Sequence, residues 1–236
     1  MTRLLLLAGT LAVNTYAASA STALKGTSEV LGIPLQIIVL MTALTVLPAI
    51  IMSLTPFLRI VIVLHFLRQA LGTQSTPSNQ VLAGLAMFLA LVIVQPTAME
   101  IYKESWAPME RGEISGTVAW ERAQTPMARF LSKYVREKDV ELFVKLSHAP
   151  PPKSPADLGL SILAPAYILS ELKAGFQIGA VLFLPFLVLD LVIASLTLSL
   201  GMVQLPPAMI SAPFKIMLFV LIDGWNLLIG SLAKSF

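Results

Sequence analysis

Residues 176–236 read FQIGAVLFLPFLVLDLVIASLTLSLGMVQLPPAMISAPFKIMLFVLIDGWNLLIGSLAKSF. The stretch is apolar enough to enter a bilayer. Yet it carries Asp190, Lys215 and Asp223, together with Pro185, Pro206, Pro207 and Pro213. A charge inside a membrane segment is costly and usually faces protein or an aqueous path. A proline there removes a backbone hydrogen bond that neighbouring protein or a lined cavity must replace. A plain lipid anchor needs neither feature, so the tail reads as part of a membrane assembly.

Composition agrees. Of 236 residues, 56% are hydrophobic and 12% charged, with a mean hydropathy of +0.82. A soluble domain is nearer a quarter charged. A net charge of +3 without any basic block gives no basis for binding nucleic acid. The absence of cysteine excludes disulfides, zinc thiolate sites and thiol nucleophiles. His65 and His148 alone are a poor basis for a metal site, and no cofactor is expected.

The first residues have the pattern of a targeting segment. Arg3 is a short basic region, Leu4 to Val13 an apolar core and Ala18-Ser19-Ala20 a small-residue cleavage site, so residues 1–20 are expected to be removed. Four apolar runs follow: Leu35 to Leu64, interrupted by Pro48, Pro56 and Arg59; Val81 to Val94, ended by Pro96; Ile178 to Leu200; and Pro206 to Leu232. Runs of this kind are helical in a membrane setting. The expected class is therefore all-α and membrane-associated. One broken helical hairpin would occupy residues 21–98 and a second residues 159–236, with a charged extramembrane subdomain at 99–158 between them.

That middle segment is a different material. Nine acids, from Glu100 to Asp157, match nine bases, from Lys103 to Lys153. Gln124 to Leu146 reads as an amphipathic helix, with Met127, Phe130, Leu131, Tyr134 and Val135 on one face and Val140, Phe143 and Val144 continuing it. Thr125-Pro126 is its expected start. Ala149-Pro150-Pro151-Pro152 is its expected stop and the beginning of a stiff linker. With the mature N-terminus outside the cytoplasm and four crossings, this segment lies outside as well.

Depth along the last two runs suggests a pairing. If they form a hairpin about Gln204, Lys215 lies roughly 16 Å, Asp190 roughly 21 Å and Asp223 roughly 28 Å from the turn at 1.5 Å per residue. A buried charge without a partner is costly. Lys215 is therefore expected to pair with Asp190, within one chain or between neighbours. A Gly175-x-x-x-Gly179 match suggests a close helix contact.

Several long motifs then carry a family resemblance. Pro165-Ala166-Tyr167-Ile168-Leu169-Ser170-Glu171-Leu172-Lys173-Ala174-Gly175-Phe176-Gln177-Ile178-Gly179 resembles one signature of the FliP family of flagellar biosynthetic proteins, and Pro213-Phe214-Lys215 through Asp223-Gly224-Trp225 resembles the other. The segment Pro185 to Ser195 and the segment Thr55-Pro56-Phe57-Leu58-Arg59-Ile60 through Thr73 are similar to the family too. The resemblance spans essentially the whole mature chain. It implies a core subunit of the flagellar type III export gate: several copies assembling with FliQ and FliR subunits, and with other membrane proteins of the export apparatus, into a helical pore. Unfolded flagellar subunits would pass through it. The site would be the bacterial inner membrane, in the flagellar basal body, in contact with lipid and with a periplasmic region. In that family the assembled helices sit largely above the membrane plane. Glu171, Asp190 and Lys215 match charged family positions that pair within the assembly, including across subunits. Gly201, Met202, Val203 and Gln204 match a methionine-rich constriction that gates the pore, although here one methionine remains. Arg59, Asp223, Gly224 and Trp225 lie in the motifs without an implied role.

Other classes make different demands. The corresponding subunit of a virulence type III secretion system is the near alternative, and the leader-like segment favours the flagellar branch. An ion-coupled transporter would use the weak echo between Pro48 to Ile60 and Pro207 to Ile216. An intramembrane aspartyl protease would pair Asp190 with Asp223. Neither aspartate stands in a Gly-x-Gly-Asp setting, however, and a lysine lies at similar depth. No enzyme activity is expected.

Overall fold

A computed structural model describes residues 35, 37–73, 75–148, 158–201 and 206–236. The expected leader and its cleavage site, the Pro150-Pro151-Pro152 linker and the loop residues Met202, Val203 and Gln204 lie outside the described residues. All regular structure among the described residues is helical. The chain divides into two units, Met1–Ile50 and Ile51–Phe236.

The first unit contributes most of helix α1, Ile37–Ser53. Its apolar side chains, among them Ile38, Leu44 and Leu47, are exposed. Thr42 and Thr45 donate their hydroxyls to the carbonyls of Ile38 and Met41, each at 2.8 Å. Such back-bonding satisfies a hydroxyl on an apolar helix.

The second unit runs α2 (Phe57–Ala70), α3 (Asn79–Ile101), a π-helical turn (Tyr102–Trp106), α4 (Ala107–Glu110), α5 (Gly116–Tyr134), α6 (Glu137–Ser147), α7 (Leu160–Ser199), α8 (Pro207–Leu221) and α9 (Gly224–Lys234). Helix α2 packs most extensively on α7. Its buried Arg59, Ile60, Val63, Leu64, Leu67 and Ala70 recur every three or four residues, which is one helical face. The crossing is close because α7 offers bare backbone. A Cβ on Gly175 would stand 3.1 Å from Ile62, and one on Gly179 would stand 2.5 Å from the Phe66 ring. The spaced glycines thus serve as the close contact that their pattern suggests. Leu82, Ala86 and Ala90 of α3 and Phe219, Leu228 and Leu232 of α8 and α9 complete this core. A second core forms where α5 and α6 pack on the first turns of α7, around Leu131, Val140, Val144, Leu163 and Tyr167.

Several boundaries depart from the sequence reading. Pro96 does not end the second apolar run: α3 continues through it to Ile101, and the whole stretch Asn79–Glu110 is helical. Pro185 does not break the third run, and α7 begins at Leu160, far ahead of Ile178. A proline removes one ladder bond, a cost of about 3 kcal/mol, and long flanking stretches of intact helix absorb it. The π-helical turn precedes Pro108, whose ring would press on the Glu104 carbonyl in a regular α-helix. The amphipathic stretch is two helices, and Thr125-Pro126 lies inside the first. Helix α5 starts at Gly116, where the Ser115 hydroxyl accepts from Val118 N–H at 3.4 Å. The chain turns extended at Val135 and Arg136, because the Arg136 N–H bonds the Ser170 hydroxyl of α7 at 3.0 Å. The last run breaks at Ile222 and Asp223, where α8 and α9 meet at 66°, and Pro213 lies within α8.

By length and composition, Asn79–Glu110 and Leu160–Ser199 are each able to cross a membrane. Ile37–Ser53 with Phe57–Ala70, and Pro207–Leu221 with Gly224–Lys234, meet that test only as pairs.

Candidate functional site

Arg59, Glu171, Asp190, Lys215, Asp223, Gly224 and Trp225 fall into one buried ion pair, one half-open ion pair and one elbow. The first pair joins α2 to α7. Arg59 donates through Nε to Glu171 Oε2 at 2.9 Å and through Nη2 to Oε1, a two-pronged arrangement, and both side chains are buried. Its remaining nitrogen, Nη1, reaches the Ser235 carbonyl at 3.2 Å and the Ser235 hydroxyl at 3.1 Å. The guanidinium carbon lies 3.9 Å from the centre of the Phe236 ring, which meets Tyr134 edge-on at 5.3 Å. The Phe236 carbonyl accepts from Lys133 at 3.1 Å and from the Tyr134 hydroxyl. Each nitrogen of Arg59 therefore finds an acceptor within the chain, and the Phe236 ring covers one face of the guanidinium.

The second pair joins α7 to α8. Lys215 Nζ donates to Asp190 Oδ2 at 2.6 Å, and the buried Ser211 hydroxyl donates to Oδ1 at 2.6 Å. Ser211 and Lys215 are four apart on α8 and so present one face to the carboxylate. The Lys215 side chain is 4% exposed, whereas that of Asp190 is 32% exposed. The surrounding surface of α7 is apolar, with Leu187, Val188, Leu191 and Val192 exposed. Lys215 thus meets Asp190, and Glu171 belongs to Arg59.

The elbow is the Asp223-Gly224-Trp225 motif. Asp223 has φ 52°, in the left-handed region, which Asn and Asp tolerate better than other side chains. A Cβ on Gly224 would stand 2.3 Å from the Phe219 ring, so only glycine lets that ring cover the corner. Trp225 then meets Phe219 edge-on at 5.4 Å. Asp223 Oδ2 accepts from Asn226 Nδ2 at 3.2 Å, and the residue is exposed. Asp190 and Asp223 have separate partners. Gly201 ends α7 with φ 74°, a left-handed helix stop.

A third cluster is absent from the sequence reading. Asp139 of α6, 1% exposed, accepts from the Ser170 hydroxyl at 2.7 Å and from Lys173 of α7. Burial alone would push its carboxyl up, but the Lys173 ammonium and Ser170 hydroxyl, helped by Arg136, outweigh it and hold the group below the usual carboxylate range. Arg136 also donates to Gln177 Oε1 at 2.6 Å. The signal that could have exposed Asp139 is its place beside Val140 on the inner face of a short helix.

Comparison with known proteins bears on this geometry. The FliP family profile matches residues 40–232. The chain is 49% identical over 201 residues to the flagellar biosynthetic protein FliP of Pectobacterium carotovorum subsp. carotovorum, covering 85% of this chain and 78% of that one. It is 51% identical over 211 residues to the flagellar biosynthetic protein FliP of Cereibacter sphaeroides, covering 89% and 69% respectively. The Bacillus subtilis (strain 168) protein of the same name is 48% identical over 201 residues, covering 85% and 91%.

Proposed function

The chain belongs to the FliP family, and from that premise we propose that it is a pore-forming core subunit of the flagellar protein export gate. The relatives are named for flagellar biosynthesis, which favours this reading over the equivalent subunit of a virulence secretion system. The family is one of structural components of the export apparatus, not of enzymes. Copies of the chain join one another and the FliQ and FliR subunits in the inner membrane at the basal body. Residues 21–98 and 159–236 supply two helical hairpins, and residues 99–158 supply the periplasmic subdomain. Unfolded flagellar subunits are the cargo.

The observation that supports assembly most directly is the half-open Asp190–Lys215 pair. Its carboxylate keeps one edge at an apolar surface, where a neighbouring subunit can complete it. The turn after Gly201 is the proposed constriction, formed by Met202, Val203 and Gln204. The chain has no cysteine, so Met202→Cys provides a unique thiol. Crosslinking it to an export substrate stalled in the gate should give a covalent adduct. Adducts from Trp120→Cys and none from Met202→Cys would refute this placement.

A further inference from the structure

Tyr167 of α7 is enclosed but takes no part in the bonds described so far. It is 0% exposed and belongs to the second core with Leu131, Leu163 and Ala166, its ring 6.2 Å from that of Phe130. A phenylalanine would serve that packing equally, so the hydroxyl needs a separate reason. Among the described residues, only Tyr167 and Ser105 have a buried side-chain oxygen without a hydrogen-bond partner in the chain. Other enclosed hydroxyls are engaged: Ser170 with Asp139, Ser211 with Asp190 and Thr197 with the Ala194 carbonyl. A buried hydroxyl left unbonded costs more than a typical hydrogen bond contributes. Ser105 has no carboxylate three or four residues away on either side. Tyr167 has Glu171 four residues on, on the same face of α7.

Glu171, Arg59 and Tyr134 are the groups that act electrostatically on the Tyr167 hydroxyl. Arg59 carries donors only. The Tyr134 hydroxyl already donates to the Phe236 carbonyl and accepts from Lys133. Glu171 spends one bond on each oxygen, to Arg59 Nε and Nη2, and each carboxylate oxygen has a second lone pair. Of the three, Glu171 has acceptor capacity to spare, yet it makes no direct bond to Tyr167. We propose that one enclosed water joins the two: the Tyr167 hydroxyl donates to the water, and the water donates to the open lone pair of a Glu171 oxygen. Buried waters take up such otherwise unsatisfied groups, and a bridging water is nearly as good as a direct bond. Tyr167 is then a positioning residue, which holds the carboxylate in register with both prongs of Arg59. The bridge lies within one chain and does not depend on the export-gate reading.

The sign of one substitution tests it. Tyr167→Phe removes a single oxygen and keeps the ring. In the full-length detergent-solubilised chain it should lower the ratio of folded to unfolded molecules by about fivefold. An unpartnered hydroxyl requires the opposite sign, so a Phe variant as stable as the wild type, or more stable, would overturn the proposal. Arg59→Met with Glu171→Leu replaces both charges by apolar groups, a change that buried pairs often tolerate. In that background the hydroxyl has no carboxylate to reach, and Tyr167→Phe should become neutral or stabilising. A loss as large as in the wild-type background would overturn the bridge. The last measurement needs no variant. A map of the assembled complex, at a resolution where other enclosed waters are visible, should show a peak within hydrogen-bond distance of both Tyr167 Oη and Glu171. An empty position there, or a direct bond between the two side chains, would overturn it.

Discussion

The two ion pairs of α7 differ in how completely the chain encloses them. Arg59–Glu171 is sealed: two prongs to the carboxylate, two contacts to Ser235 and the Phe236 ring over the guanidinium. Lys215–Asp190 is sealed on the lysine side and open on the carboxylate side. Removing one member of a sealed pair leaves a charge that nothing can solvate, whereas an open pair retains access to its surroundings. The first arrangement suits holding one chain together. The second suits a contact that is completed on assembly.

That contrast can be broken by experiment. The largest effect is expected from Glu171→Ala, which leaves Arg59 buried and uncompensated at a cost of about 3–5 kcal/mol. Unfolding of the detergent-solubilised chain should show it, and Arg59→Ala should match it. A loss of less than about 1 kcal/mol would mean that the pair is not sealed in solution. Next comes Lys215→Met, which keeps the stem and leaves Asp190 with its Ser211 bond and its open edge. The isolated chain should lose only about 1 kcal/mol, while the yield of the assembled complex falls sharply. Lys215→Glu should abolish assembly, and the double variant with Asp190→Lys should restore part of it. Equal losses of chain stability in Lys215→Met and Glu171→Ala would erase the distinction.

The smallest effect concerns Asp139, where an enclosed carboxylate meets a lysine 46% exposed. Its carboxyl lies below the usual value in the folded chain. Its contribution is thus complete above the unfolded value of about 3.9 and is lost as pH falls through the lower folded value. The wild-type chain should lose stability progressively below about pH 4, and Asp139→Asn should flatten that limb. An identical acid limb in both would show that Asp139 carries no such linkage.

Membrane character, the helical class and the residues Glu171, Asp190 and Lys215 were legible in the sequence, because charge and proline stand out against an apolar background. The Arg59–Glu171 pair was not, since its members are 112 positions apart and no local periodicity reports so long a separation. Asp139 was hidden among alternating charges that otherwise describe a solvated face. The prolines misled for a physical reason. Pro96 and Pro185 each cost one bond, and the neighbouring turns keep the helix continuous. The break at Arg136 depends on a bond to Ser170 in another helix, and so on tertiary packing.

One further consequence concerns α7 as a mechanical part. Its forty residues form a single beam about 60 Å long at the helical rise. The clamps of α5 and α6 and the Arg59 pair hold it about a quarter of the way along, at Ser170, Glu171 and Lys173. Gly201 stands at its C-terminal end, just past the last helical residue. Such a beam is a lever: about 42 Å of it lies beyond Glu171, so a tilt of about 5° at the clamps would move the far end by about 4 Å.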